Sequence, residues 1–174
     1  MKKLFSRVFL GLFLLLFSFP PAKGQGVSRG YELMLSSLYK NTVPTLSPGE
    51  LAVKLKQQPS DILLLDIRTP SEYSVSHINS ARFLHFDKVR DQELQRLPKN
   101  KTLVVYCSVG YRSERIGERL KALGYPAVYN LYGGIFQWVN EGLPIVNAQG
   151  PTNKVHAYSK KWGIWLNKGE KAYE

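Results

Sequence analysis

The sequence contains a single cysteine, Cys107, among its 174 residues. One cysteine excludes an internal disulfide bond, because such a bond needs two. A lone thiol exposed in an oxidising compartment is also prone to irreversible oxidation. Cys107 is therefore either a small buried core residue, which is common for free cysteines, or a residue that takes part in chemistry.

Acidic residues are also scarce. The chain has 13 Asp and Glu residues against 24 Lys and Arg residues, and its formal net charge is +11. This excess favours small anions or acidic surfaces as partners. No nucleic-acid-binding motif occurs, so we expect no nucleic-acid partner. The chain lacks internal repeats and low-complexity tracts, and its apolar fraction of 44% is sufficient for one sizeable core.

Long apolar runs are absent except near the N-terminus. There, residues 8–19 form an apolar segment that follows three basic residues, and Ala22 and Gly24 supply the small residues that a signal peptidase recognises. The segment is shorter than the ~20 apolar residues that a membrane-spanning helix needs. We therefore expect residues 1–24 to be a signal peptide and the mature protein to be exported, either periplasmic or secreted. An uncleaved signal that anchors the chain in the membrane is the alternative.

The rest of the chain alternates predicted strands and helices. Apolar runs predict buried strands at 62–67, 81–85, 102–106 and 127–131. Residues 42–48 read as a turn-rich connection. Helices are predicted over 30–40, from the N-cap Ser47 to Gln58, from Ser71, and over 87–97, 111–123 and 136–140. Such alternation predicts a parallel sheet covered on both faces, so the fold class is α/β with three layers and about five mainly parallel strands.

Cys107 lies where the clearest predicted strand meets a predicted helix. In open α/β sheets, ligands bind beyond the carboxyl ends of the strands. No proline interrupts residues 108–113, so each residue has an N–H group to offer, and Gly110 lets the backbone approach a ligand closely. Amides that converge at a helix N-terminus lower the pKa of a thiol, and Arg112 and Arg115 add positive charge. This setting favours a reactive thiolate over an inert core residue.

Three segments resemble the rhodanese family, in order and in spacing. Residues 107–113 resemble its active-site loop, Cys-x-x-Gly-x-Arg followed by Ser or Thr. Residues 64–73 resemble its Asp-x-Arg…Glu-Phe/Tyr signature, which leads to His77. Residues 132–138 resemble the Gly-Gly…Trp segment that closes the domain. The resemblance covers about residues 45–145 and implies a three-layer αβα rhodanese-like domain.

The resemblance also implies a sulfurtransferase activity. Cys107 would take a sulfane sulfur from a small anionic donor such as thiosulfate and hold it as a persulfide. It would then pass the sulfur to a thiol or cyanide-like acceptor. The loop would bind the substrate through Ser108, Val109, Gly110, Tyr111 and Arg112. The resemblance implies neither a metal nor an organic cofactor.

Other polar residues in these segments are expected to be structural. We assign Asp66 and Arg68 to structural support of the site through ion pairing, with Arg112 as the expected partner of Asp66. His77 is expected to be a hydrogen-bonded structural residue rather than a general base. Where the family often has Gly-His-Ile-Pro-Gly-Ala, residues 76–81 read Ser-His-Ile-Asn-Ser-Ala, and their Asn and Ser still suit a turn.

Two other functions stay open. A cysteine phosphatase or an arsenate reductase also uses a thiolate held by loop amides and an arginine. Their loops typically place five residues between cysteine and arginine, whereas four separate Cys107 from Arg112. The second alternative is a non-catalytic binding or sulfide-sensing module with the rhodanese fold.

The predicted organisation after the signal has three parts: a helical lead-in (25–44), the rhodanese-like domain (45–148) and a basic, aromatic C-terminal extension (149–174). In the extension, Trp162, Trp165 and Leu166 fall at helical spacing. A basic helix with tryptophans can lie on an anionic membrane. The favoured prediction is instead that these residues pack on the domain and cap one side of its core or pocket.

Overall fold

A computed structural model describes residues 28–173, which form a five-stranded, all-parallel sheet with helices on both faces. In space the strands follow the order β1-β5-β4-β2-β3. Residues 1–27, which include the predicted signal peptide, lie outside the described residues. The predicted α/β class is confirmed. The strands are β1 (Thr45–Leu46), β2 (Ile62–Asp66), β3 (Arg82–Phe83), β4 (Thr102–Tyr106) and β5 (Val128–Leu131).

Seven α-helices lie within residues 28–173. The helices that enclose the sheet begin at local sequence signals, for example the capping boxes formed by Ser47 with Glu50 and by Thr69 with Glu72. Both boxes are followed by a proline in the first turn. The helices are α1 (Arg29–Leu38), α2 (Pro48–Gln57), α3 (Pro70–Val75), α4 (Asp91–Leu94), α5 (Tyr111–Ala122), α6 (Gly134–Asn140) and α7 (Lys160–Gly163).

The core consists of two apolar clusters, one on each face of the sheet. Leu64 and Val104 belong to the cluster that includes residues of α1, α2 and α6. Their neighbours Leu65 and Val105 belong to the cluster that includes residues of α4 and α5. Successive strand residues point to opposite faces, so a sheet buried on both faces needs continuous apolar runs. This burial explains why β2 and β4 were the clearest strands in the sequence.

Three predicted elements differ from the structure. The strand expected over 81–85 is reduced to β3. Residues 45–46, expected to be part of a turn, form β1 because their backbone extends beside β5 at the edge of the sheet. The predicted helix over 87–97 is reduced to α4. Residues 85–89 form a turn. Arg90 has an extended backbone (φ −98°, ψ 158°), so the helix begins only after it.

The C-terminal extension packs on the domain, as predicted. Antiparallel strands β6 (Ile145–Asn147) and β7 (Gly150–Thr152) precede a parallel pair, β8 (Lys154–His156) and β9 (Glu170–Ala172). Val155, Ala157 and Leu166 are buried in the cluster that contains α1. The ring of Trp165 stacks on that of Tyr31 from α1, with centroids 5.6 Å apart. The helical spacing of Trp162, Trp165 and Leu166 predicted a helix here. The structure has only the short helix α7 and the turn after it.

No helix within residues 28–173 combines the length and the apolar character needed to cross a membrane.

Candidate active site

The Cys107 thiol lies in the loop between β4 and α5. Backbone N–H groups at the start of α6 form hydrogen bonds to this loop. The Sγ atom of Cys107 accepts the N–H of Gly110 at 3.1 Å. The carbonyl oxygens of Cys107 and Ser108 accept the N–H groups of Ile135 and Phe136, at 2.9 and 3.1 Å. These N–H groups have no partner inside α6, so they are free to hold the loop in place. The side chain of Cys107 is buried but borders a pocket.

Two glycines allow this close packing. Gly110 has φ 101°, and a Cβ atom there would collide with the hydroxyl of Tyr39. Gly134 has φ 57°, and its Cβ would lie 2.4 Å from the carbonyl oxygen of Cys107. Both the left-handed backbone and the missing side chain are therefore required at these positions.

A series of buried polar contacts connects the sulfur atom to β5. The Ser113 hydroxyl lies 3.6 Å from Sγ and donates to Oδ1 of Asn130 at 2.7 Å. The Asn130 amide donates to the carbonyl oxygen of Gly110 at 3.0 Å. Asn130 thus links the loop to the neighbouring strand. Asn130 was not among the residues predicted for the site, although a polar residue within an apolar strand is a visible signal in the sequence.

Glu72 from α3 is the acidic partner of the loop. Arg112 donates from Nη1 and Nη2 to its two carboxylate oxygens, at 3.1 and 2.8 Å, and Ser108 donates its hydroxyl at 2.6 Å. Burial alone raises the pKa of the Glu72 carboxyl, but the hydrogen bonds and charge of Arg112, together with Ser108, outweigh it and hold the pKa at about 2. The loop is therefore tied to an ionised carboxylate.

The expected pairing of Asp66 with Arg112 is wrong. Asp66 instead pairs with Arg68, which donates from Nε at 2.9 Å and from Nη2 at 2.6 Å, and both side chains are fully buried. The positions of the two carboxylates explain this pairing. Glu72 lies on α3 and contacts the loop that contains Cys107, whereas Asp66 is the last residue of β2. Arg68 also donates to the carbonyl oxygen of Ser76 at 2.6 Å. Asp66 and Arg68 thus hold the chain at the end of α3.

His77 has the structural environment that was expected. Its Nδ1 lies 3.0 Å from the carbonyl oxygen of Tyr73, and its ring stacks on that of Tyr73 with centroids 3.9 Å apart. Its backbone bridges to Val146. His77 therefore connects α3 to β6, and it does not line the pocket at Cys107.

Tyr39, just after α1, connects the lead-in to the loop that contains Cys107. Its hydroxyl donates to the carbonyl oxygen of Val109 at 2.7 Å and accepts the N–H of Gly133 at 3.0 Å. Burial raises the pKa of this hydroxyl well above its usual value, so it stays protonated and able to donate. Tyr31 adds a hydrogen bond to the carbonyl oxygen of Gly133 at 2.8 Å. Tyr39 therefore binds the loop directly, and Tyr31 binds Gly133, which also contacts Tyr39.

Replacing Tyr39 with phenylalanine is expected to lower the free energy of unfolding by about 1–3 kcal/mol, because two buried backbone groups lose a partner. The loop that contains Cys107 should also become more mobile, so the sulfur transfer expected at Cys107 should slow. Chemical denaturation and steady-state kinetics measure both effects. Tyr129→Phe is the matched control, since Tyr129 is a partly buried residue whose hydroxyl forms no hydrogen bond within residues 28–173. Equal stability of the two variants would show that the Tyr39 hydroxyl does not hold the loop.

A pocket of about 300 Å³ opens above Cys107. Three of the predicted binding residues line it, namely Val109, Tyr111 and Arg112, whereas Ser108 binds Glu72 and Gly110 directs its N–H at the sulfur. Of the residues in the remaining wall, only Trp162 was expected from the sequence to cap the core or the pocket. That wall consists of Leu38, Tyr158 and Trp162.

Residues 28–173 contain no group of three or more His, Cys, Asp or Glu side chains placed to hold an ion.

Comparison with known proteins agrees with this architecture. A family model described as "Rhodanese-like domain" matches residues 47–141. A protein of Allochromatium vinosum named "Sulfurtransferase" is 42% identical over 92 residues, which are 52% of this chain and 83% of the relative.

Solved structures show the same fold. A Bacillus halodurans protein superposes with a TM-score of 0.56 at 23% identity, covering 70% of this chain and 86% of the other, and it supports the fold alone. A Pseudomonas aeruginosa structure titled "Thiosulfate sulfurtransferase" matches with a TM-score of 0.54 at 27% identity, covering 60% of this chain but only 19% of the other. On the evidence of the family match over residues 47–141, this chain belongs to the rhodanese-like domain family.

Proposed function

We propose that this protein is a sulfurtransferase that carries sulfur as a persulfide on Cys107. The observation that carries the proposal is the position of Sγ. It accepts the Gly110 N–H at the start of α5 and borders a pocket that also contains Arg112. N–H donors at a helix N-terminus stabilise negative charge on the sulfur. The relative named a sulfurtransferase supports the same activity.

The reaction proceeds in two transfers. With thiosulfate as donor, the Cys107 thiolate attacks the sulfane sulfur, an S–S bond forms to the protein, and sulfite leaves with the electrons of the broken bond. An acceptor thiolate or cyanide then attacks the outer sulfur of the persulfide and regenerates the Cys107 thiolate. The negative charge stays near Sγ in both steps, so the same N–H donor stabilises both states.

Mass spectrometry tests the intermediate directly. Brief exposure to thiosulfate, followed by removal of the donor, should leave one added sulfur on the peptide that contains Cys107. Cyanide or a small thiol should then remove it. Because the chain has one cysteine, any sulfur bound to a thiol is assigned without ambiguity. Failure of every sulfane-sulfur donor to load Cys107 would contradict the proposal and favour a binding module.

The proposal includes export, with cleavage after Gly24. The basic start, short apolar segment and small residues at 22 and 24 support it. N-terminal sequencing of protein from the producing cell should begin at Gln25 or within a few residues of it. A variant with Ala22 and Gly24 replaced by bulky residues should retain its leader and serves as the control. A full-length wild-type chain in the membrane fraction would instead indicate an uncleaved anchor.

A further inference from the structure

Three of the seven described residues that line the pocket above Cys107 lie in segments that the family match does not include. Leu38 ends α1, and Tyr158 and Trp162 belong to the C-terminal extension, whereas the match covers residues 47–141. These segments are firmly attached to the domain. The side-chain amide of Asn140 in α6 donates to the carbonyl oxygen of Trp165, and its oxygen accepts the N–H of Asn167.

Tyr158 is held in a conformation that places its ring against the site. Its backbone has φ 64°, which is unusual for a non-glycine residue and persists only where surrounding contacts enforce it. Its N–H donates to Nδ1 of His156, a buried side chain, at 3.1 Å. The guanidinium carbon of Arg112 lies 5.4 Å from the centre of the Tyr158 ring. The extension thus covers part of the only arginine that lines the described pocket.

The chemistry of this pocket is poorly suited to a small, strongly hydrated dianion. Most of its lining is apolar or aromatic, and the charge of Arg112 is already shared with Glu72. Transfer of an ion from water to apolar surroundings is costly unless the charge is paired. The volume of about 300 Å³ lies at the lower end of the range that is typical of sites for small organic ligands. The space and the walls therefore suit an anion that also carries an apolar group.

We infer that Trp162, Tyr158 and Leu38 are specificity-determining residues that select donors in which a sulfonyl group links the sulfane sulfur to an apolar, flat organic group. This inference rests on the proposed function, because it concerns the donor of the same transfer. With an organic thiosulfonate, the Cys107 thiolate attacks the terminal sulfur and forms the persulfide. The S–S bond of the donor breaks, and an organic sulfinate leaves with the electron pair, so charge and electrons balance.

Benzenethiosulfonate and thiosulfate are the two probes, each tested with the same acceptor. The wild-type protein should show a kcat/KM about tenfold or more higher for benzenethiosulfonate, because only this donor places a ring against the aromatic wall. Trp162→Ala should reduce that preference about tenfold, because kcat/KM for benzenethiosulfonate should fall more than kcat/KM for thiosulfate. Leu38→Ala, on a different element, should reduce the preference in the same direction.

Trp165→Ala is the matched control for Trp162→Ala. Both tryptophans are half-buried in the extension and pack on the same apolar cluster, but Trp165 does not line the pocket. Its variant should keep the wild-type preference. Equal kcat/KM for the two donors, or equal preference in the Trp162→Ala and Trp165→Ala variants, would overturn the inference and leave the sulfurtransferase proposal intact. Absence of transfer from both donors would overturn the proposed function itself.

Discussion

Replacing Cys107 with serine is expected to abolish sulfur transfer, with a fall in kcat of about a thousandfold or more. A serine hydroxyl stays protonated at neutral pH, so it supplies no anion to attack the donor. It also cannot hold the transferred sulfur as a persulfide. Steady-state assays with thiosulfate and cyanide measure the loss, and intact mass should show no added sulfur on the variant.

The fold of the Cys107→Ser variant should be preserved. The two side chains have almost the same shape, and a hydroxyl can accept the Gly110 N–H that Sγ accepts in the wild type. Thermal unfolding should therefore remain cooperative and close to that of the wild type. For the wild type, double-reciprocal plots at several acceptor concentrations should be parallel, as a ping-pong reaction requires. Substantial turnover by the folded variant would exclude Cys107 as the sulfur carrier.

Replacing Glu72 with glutamine is expected to have the largest effect on stability, a loss of about 3 kcal/mol. The carboxylate is 1% exposed and accepts hydrogen bonds from Arg112, Ser108 and Thr69. A neutral amide keeps the size but leaves the Arg112 charge without its partner, and its NH₂ group cannot accept a hydrogen bond. Because the same pair positions the loop that contains Cys107, turnover should fall as well.

The acid sensitivity of the protein should change in the same variant. The folded-state pKa of Glu72 is about 2, below the usual value of 4.5. A lowered carboxyl pKa adds stability that is fully present above pH 4.5 and is lost as the pH falls towards 2. Urea unfolding across this window should show a smaller decline for Glu72→Gln than for the wild type. An identical decline in both would show that Glu72 is not the group responsible.

Glu50→Gln provides a closely matched control. Glu50 occupies the same position of a capping box in α2 as Glu72 does in α3, but its box with Ser47 is exposed. Among residues 28–173, no arginine forms an ion pair with Glu50. Its replacement removes the local capping interaction alone. A loss as large as that in Glu72→Gln would mean that helix capping, rather than the contact with Arg112, explains the effect.

Much of the fold follows from local sequence. β2 and β4 are continuous apolar runs, and α2 starts at a capping box, so each is specified by residues close together in the chain. β1 is different, because its two residues are extended only through pairing with β5. The parallel pair of β8 and β9 was likewise unpredicted, since its strands are short and join across a segment that contains α7. Elements of two or three residues are too short to show a period.

The sequence by itself determined that this chain is an α/β domain and that Cys107 is the candidate nucleophile, because both depend on local patterns: apolar runs, helix caps and a proline-free loop after a strand. The tertiary structure alone decided which charges meet and what covers the thiol. Arg112 pairs with Glu72 rather than Asp66 because α3 crosses to the loop. Leu38, Tyr158 and Trp162 reach the pocket because both flanking segments fold back on the domain. Contacts between residues far apart in the chain depend on how its elements pack, which no local pattern specifies.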